Sequence, residues 1–292
     1  RLLPLGDGVV LHPAHGAGSI CGARIGARAE STLGIERTQS PVLRFHDKAG
    51  FVRYKLEEHQ ERPPYFRMME RYNLEGPPPV GGVRVPPALA PAEFRREMEA
   101  GATVVDMRQP SAFGGSHLKG SYSVWLDGLS TFAGWVLSYE SPVLLVAGSG
   151  SEVEPACRQL SRLGYDRVVG YLKRGVEEWY SAGLPVEHLI LMSVQELRHS
   201  LERGEELTVL DVRGLDEWQR GHIEGARNIY VGHLEERLGE VPRDKAVVVM
   251  CSSGWRGGLG ASILLRAGYP NVMNVLGGFG AWKALGFPAT GS

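Results

Sequence analysis

The chain has 292 residues, 43% hydrophobic and 22% charged, which suits two or three globular domains with real cores and excludes a disordered or fibrous chain. Its formal net charge is −1 with no long basic stretch, so nothing marks a nucleic-acid partner or a membrane surface, and no apolar run approaches the ~20 residues of a membrane span. The cysteines, Cys21, Cys157 and Cys251, are few, odd in number and far apart, which argues against a disulfide framework and for a reducing compartment.

In chain order, the opening Arg1-Leu2-Leu3-Pro4 lacks the layout of a signal peptide, so a soluble, cytoplasmic protein is expected. Residues 1–80 start on a strand, Gly8 to His12, followed by the turn Pro13 to Gly18 and a helical stretch from about Lys48 to Asn73 that Pro63-Pro64 should divide. With one strand, this segment holds too little material for a core of its own and must pack on another domain or have lost an upstream half. The turn Pro13-Ala14-His15-Gly16-Ala17-Gly18-Ser19-Ile20-Cys21-Gly22 is similar to the late histidine motif of persulfide dioxygenases with a metallo-β-lactamase fold. That resemblance implies a His-x-His-x-Asp-His cluster earlier in the chain, a spacing that the nine histidines here never show. No cofactor is therefore assigned to this chain, and Fe(II) is expected only in a longer parent protein. His12 and His15 read as turn or hydrogen-bonding histidines, and Cys21 as a ligand only if the turn folds back, because a metal role needs three or four converging ligands.

The stretch Gly76-Pro77-Pro78-Pro79-Val80-Gly81-Gly82-Val83-Arg84-Val85-Pro86-Pro87 forms neither a helix interior nor a central strand and marks the clearest boundary. Beyond it the chain repeats itself. The first copy, residues 81–187, reads Val104-Val105-Asp106-Met107-Arg108, His117-Leu118-Lys119-Gly120-Ser121, Val143 to Gly150, and Gly175-Val176-Glu177-Glu178-Trp179. The second, residues 188–292, reads Val209-Leu210-Asp211-Val212-Arg213, His222-Ile223-Glu224-Gly225-Ala226, Val247 to Cys251, and Gly278-Phe279-Gly280-Ala281-Trp282. An offset of about one hundred residues makes these two domains of ordinary size rather than solenoid repeats. Short β-branched runs alternate with helical stretches such as Ala90 to Ala100 and Ser193 to Arg203, so the expected class is α/β, a parallel sheet with helices on both faces.

Asp211-Val212-Arg213, Gly221-His222-Ile223-x-Gly225-Ala226, Cys251-x-x-Gly254-x-Arg256 and Gly277-Gly278-Phe279-x-Ala281-Trp282 together resemble the rhodanese family of sulfurtransferases. With the N-terminal piece, the order resembles a persulfide dioxygenase fused to two rhodanese domains, of which residues 1–80 would be the end of a metallo-β-lactamase-like domain. The copies differ where it matters. Ala147 stands in place of Cys251 and Glu152 in place of Arg256, so the first copy is expected to be catalytically silent: a methyl group attacks nothing, and a carboxylate repels an anionic donor. Cys157, on the expected helix behind that loop, reads as a buried structural thiol.

A strand feeding a Gly/Ser loop that opens a helix aims N–H groups at one point, where a cysteine with an ordinary pKa of about 8.5 becomes a usable thiolate. The resemblance implies that Cys251 takes the outer sulfur of thiosulfate, glutathione persulfide or another small persulfide and passes it to a thiophilic acceptor. Ser252, Ser253, Gly254 and Gly257 would line the cradle, with Arg256, fixed in charge and forked, suited to the oxyanion end of the donor. Trp255 reads as part of an entrance wall, a contact with the neighbouring domain, or an idle surface residue. Two alternatives stay open: a non-catalytic binding module, and a cysteine phosphatase or arsenate reductase, whose loops resemble Cys-x5-Arg where this chain has the tighter Cys-x4-Arg. Asp106, Arg108, Asp211, Arg213, His117 and His222 recur in both copies, which favours structural roles, while Trp179 and Trp282 should plug the terminal helices onto their cores. Self-association into a homo-oligomer is left open.

Overall fold

The computed structural model describes residues 2–14, 28–45, 47–56, 62–78 and 82–291, and its contacts divide the chain into two units, Arg1–Arg62 and Pro63–Ser292. In the first, the expected strand is β1 (Val10–Leu11), which pairs antiparallel with a second short strand, β2 (Ser31–Thr32). Thr32 caps α1 (Leu33–Gln39), its hydroxyl accepting from the Ile35 N–H at 3.2 Å, as N-cap threonines do. Helix α2 spans Lys48–Leu56. Leu33 is the single buried apolar side chain among the described residues of this unit, whereas Leu2, Val10, Phe51, Val52 and Leu56 are exposed. His12 is exposed beside Glu30; His15 and Cys21 lie outside the described residues.

The second unit opens with α3 (Tyr65–Glu75), started by Pro64 and ended at Gly76. Tyr65 and Tyr72 press against Gly134 and Gly164, where a Cβ would come within 2.3 and 2.9 Å of their rings. By packing, the helix thus belongs with the first repeat, and the contact boundary falls ahead of the proline linker. Linker composition shows where the chain is irregular, not which neighbour the preceding helix packs on.

The first repeat runs β3 (Ala88–Leu89), α4 (Pro91–Glu99), β4 (Thr103–Asp106), α5 (Pro110–Gly115), β5 (Tyr122–Ser123), α6 (Leu129–Val136), β6 (Val143–Val146), α7 (Val153–Arg162), β7 (Val168–Leu172) and α8 (Gly175–Ser181). The second runs β8 (Ile190–Met192), α9 (Val194–Glu202), β9 (Leu207–Asp211), α10 (Leu215–Gln219), β10 (Arg227–Asn228), β11 (Ala246–Met250), α11 (Trp255–Arg266), β12 (Val272–Val275) and α12 (Gly278–Ala284). The two sheets have matching orders, β3-β7-β6-β4-β5 and β8-β12-β11-β9-β10, with every pairing parallel. Helices on both faces bury the sheets on both sides, which is why their strands read as continuous apolar runs.

Strand alternation then decides where the site faces. Along β11, Val248 and Met250 enter a core with Trp282 and Phe279, while Val247, Val249 and the following Cys251 face a cluster built from both repeats. In β6, Leu144 and Val146 likewise turn to their own outer core, and Val143, Leu145 and Ala147 to the shared one. With a side-chain period of two, Cys251 therefore ends its strand on the side where the two domains meet.

Candidate active site

Cys251 follows the last residue of β11 and is 1% exposed. The chain then turns through Ser252, Ser253 and Gly254 into α11, with Gly254 at φ +100 as N-cap, a left-handed conformation that only glycine adopts cheaply. The Gly254 N–H points back at the Cys251 sulfur, 3.1 Å away. The rest of the loop is tied from behind. The N–H groups of Phe279 and Gly280, at the start of α12, donate to the carbonyls of Cys251 and Ser252 at 2.7 and 2.8 Å. In a trans peptide the N–H opposes its C=O, so these bonds turn the Ser252 and Ser253 N–H groups away from α12. Gly278 makes the approach possible: a Cβ there would lie 2.2 Å from the Cys251 carbonyl oxygen. Asn274 on β12 donates to the Gly254 carbonyl at 3.0 Å, fixing the loop to the sheet.

Arg256 has a partner that the sequence reading did not name. Its Nη1 and Nη2 donate to the two Glu217 carboxylate oxygens at 2.6 and 2.8 Å, and Nη2 also reaches the Ser252 hydroxyl at 2.6 Å. Ser252 in turn donates to Glu217 at 2.8 Å. Burial opposes ionisation of Glu217, but the hydrogen bonds and charge of Arg256, helped by Ser252, outweigh it and hold the carboxyl at about 2. Both terminal nitrogens of Arg256 are thus engaged, by Glu217 of α10 and by Ser252 of the loop. In this geometry Arg256 clamps the cysteine loop to α10.

The recurring residues sit where structural roles require. Asp211 holds Arg213 through two nitrogens at 2.9 and 2.6 Å, and Arg213 donates on to the Gly221 carbonyl at 2.8 Å. Asp106 and Arg108 repeat the pair, with Ser116 as the outer acceptor. His222 and His117 bond the carbonyls of Trp218 and Phe113 through Nδ1, and the indoles of Trp282 and Trp179 donate to Pro288 and Pro185. Cys157 is buried on α7, and burial, with Glu154 nearby, pushes its thiol up to about 11.

In the first repeat the equivalent loop is closed on itself. Glu152 Oε2 accepts from the Gly148 N–H at 2.9 Å and the Ser149 N–H at 3.4 Å, so a carboxylate from the same loop already uses those donors. That repeat still reaches the second one's site. Trp125 packs on Trp255 with ring centroids 5.3 Å apart and on Phe132 at 5.2 Å. With Asp127, Ser253 and Arg256 these rings line a cleft of about 340 Å³ outside the cysteine loop. Trp255 thus lines the cleft and contacts the first repeat at once. Glu217, Asn274, Trp125, Asp127 and Phe132 were absent from the sequence-based set. Glu217 lies 39 positions before Arg256 and the first-repeat residues lie more than a hundred before it, so neither leaves a signal near Cys251 in the chain.

Among known proteins, the profile of the rhodanese-like domain matches residues 90–182 and 193–285. YrkF of Bacillus subtilis is 30% identical over 91 residues, 31% of this chain and 49% of that protein. The thiosulfate sulfurtransferase GlpE of Shewanella oneidensis is 31% identical over 91 residues, 31% of this chain and 89% of that protein. A crystal structure described as a metallo-beta-lactamase from Staphylococcus aureus is 27% identical, covering 59% of this chain and 47% of that one, with a TM-score of 0.49. The chain thus spans about half the length of YrkF and of the staphylococcal protein. Two matched segments of this order, holding four strands of each parallel sheet and, in the second, the cysteine loop, together make up more than half of the sequence, and the chain belongs to the rhodanese family, with two rhodanese-like domains in tandem.

Proposed function

We propose that the chain is a sulfurtransferase that carries a sulfane sulfur on Cys251, between thiosulfate or a low-molecular-weight persulfide and a thiophilic acceptor. The observation that carries this reading is the loop: one cysteine at a strand end, with the Gly254 N–H 3.1 Å from its sulfur and the neighbouring carbonyls bound away to α12. Cys251 thiolate attacks the outer sulfur of the donor, the donor's S–S bond breaks, and its inner sulfur leaves with the electron pair, as a thiolate from a persulfide or as sulfite from thiosulfate. The new Cys251 persulfide is then attacked at its outer sulfur by the acceptor thiolate, which restores Cys251. The sulfur moves without a net oxidant, and the two half-reactions should give ping-pong kinetics. N–H donors suit the persulfide anion because they stabilise charge without delivering a proton. Ser252, Arg256 and Glu217 hold the loop in shape; Ser253 and Trp255 line the way in.

The test is mass spectrometry after donor treatment. The native chain should gain one sulfur, lost on adding cyanide or a thiol, and Cys251→Ser should gain none while remaining folded. Absence of the adduct from the native chain would leave only a binding module. Phosphatase chemistry is disfavoured by the Cys-x4-Arg spacing and by the engagement of Arg256 with Glu217.

We further propose that residues 1–80 are the end of a metallo-β-lactamase-like domain, and that a longer parent protein couples persulfide oxidation at a non-haem iron to Cys251. Domain order and the sequence motif around His15 support this. Among the described residues no three His, Cys, Asp or Glu side chains converge to hold a metal ion, so no step here runs through one. Iron analysis of such a longer form tests the idea. No helix among the described residues is long and apolar enough to cross a membrane, and the free, buried Cys157 and Cys251 suit the reducing, cytoplasmic setting that we propose.

A further inference from the structure

We propose that the cleft between the two domains selects donors or acceptors that carry an ammonium group, a small aminothiol and its persulfide, and that the catalytically silent domain supplies the selecting residues. This rests on Cys251 as the sulfur carrier. Three aromatic side chains form one continuous wall of the cleft: Trp255 from the cysteine loop, and Trp125 and Phe132 from the first domain, with Trp125 touching the other two at centroid distances of 5.3 and 5.2 Å. Aromatic faces carry negative quadrupole density and attract cations.

The charges in the cleft point the same way. Its one cation, Arg256, is matched by Glu217, with both terminal nitrogens bound. The remaining charge is the Asp127 carboxylate, exposed on the first-domain side and paired with no cation among the described residues. A dianion such as thiosulfate in this cleft meets aromatic faces and an uncompensated carboxylate. A molecule with an ammonium at one end and a sulfane sulfur at the other meets attraction at the mouth and the N–H donors at the loop. At about 340 Å³ the cleft is at the small end of ligand sites, which suits a low-mass aminothiol.

This also assigns work to a domain that lacks the nucleophile. Trp125 and Asp127 lie on the short turn after β5, and Phe132 on α6. These elements face the second domain because β5 packs beside α11: the Ser123 N–H donates to the Ser262 hydroxyl at 3.0 Å.

Two probes of equal chain length separate the terms: cysteamine persulfide and 2-mercaptoethanol persulfide, each made in situ from its disulfide and sulfide. With the native chain and cyanide as acceptor, kcat/KM should favour the ammonium-bearing donor by roughly five- to tenfold, the size expected of one cation–π contact and one partly exposed ion pair together. Asp127→Asn should reduce the ratio severalfold, and Asp127→Glu should keep most of it. Circular dichroism checks that the variants fold, and the exposed position of Asp127 makes that the expected result. Equal kcat/KM for the two donors in the native chain, or a ratio unmoved by Asp127→Asn, overturns the ammonium site while leaving sulfur transfer intact. Failure of both persulfides and of thiosulfate to load sulfur on Cys251 overturns the underlying reading instead.

Discussion

Glu217 is the residue on which the cysteine loop turns, because it joins α10 to Arg256 and Ser252 at once. Replacing it by Gln keeps the shape and removes the charge, leaving a largely buried guanidinium without its counter-ion. Sulfur transfer is expected to fall at least tenfold, and stability by up to about 3.5 kcal/mol, the upper bound set by a carboxyl moved from 4.5 to about 2 at ~1.4 kcal/mol per pH unit. The sign fixes the window. A carboxyl whose folded-state pKa lies below its ordinary value contributes fully above about 4.5, and that contribution is lost as pH falls toward about 2. Urea titrations of native and Glu217→Gln chains should therefore differ most at neutral pH and converge through that acid interval. A constant difference down to pH 2 would show that the pair does not stabilise the fold.

At the scale of elements, the site is a strand end, a four-residue turn and two helix starts, and each copy uses the same parts. Gly278 is the tightest of these: φ is +52, and any Cβ would strike the Cys251 carbonyl. Gly278→Ala should cost about 1–3 kcal/mol, read as a lower midpoint in thermal unfolding, and should displace the loop enough to slow persulfide formation at Cys251. The silent copy gives the converse experiment. Ala147→Cys alone, on a Cys251→Ser background, should yield no sulfur adduct by mass spectrometry, because Glu152 still occupies the Gly148 and Ser149 N–H groups. Much of this was legible in the chain: paired motifs at near-constant offset pointed to the two sheets, and Ala147 and Glu152 marked the copy that lacks the cysteine and the arginine. The partners across space were not. Arg256 and Glu217 are 39 positions apart, and a two-residue strand such as β2 carries no periodicity to read.

Within residues 63–292, the two rhodanese-like domains are joined too closely to act as independent modules. Their inward faces contribute to one apolar cluster, and small residues allow the close approach. Trp135 lies over Gly232, where a Cβ would come within 2.4 Å of the indole, and Pro110 lies against Gly258 of the cysteine helix at a corresponding 3.2 Å. Farther along α11, Ser262 accepts from Ser123, and Arg266 stacks on Tyr122 at 3.9 Å. Gly258, Ser262 and Arg266 recur every fourth residue, the spacing of one helix face, so the helix that positions Cys251 is set on one side by its own sheet and on another by the silent domain. Two domains so coupled should unfold together. In calorimetry, residues 63–292 are expected to give one transition with van't Hoff and calorimetric enthalpies in agreement. Gly232→Val should wedge Trp135 away, at a cost of about 1–3 kcal/mol, and split or broaden that transition. Because Trp135 and Gly232 do not line the cleft, loss of sulfur transfer in this variant, with both domains still folded by circular dichroism, would show that the working cysteine depends on how its silent neighbour is docked. Native turnover alongside a split transition would show that α11 holds the loop unaided.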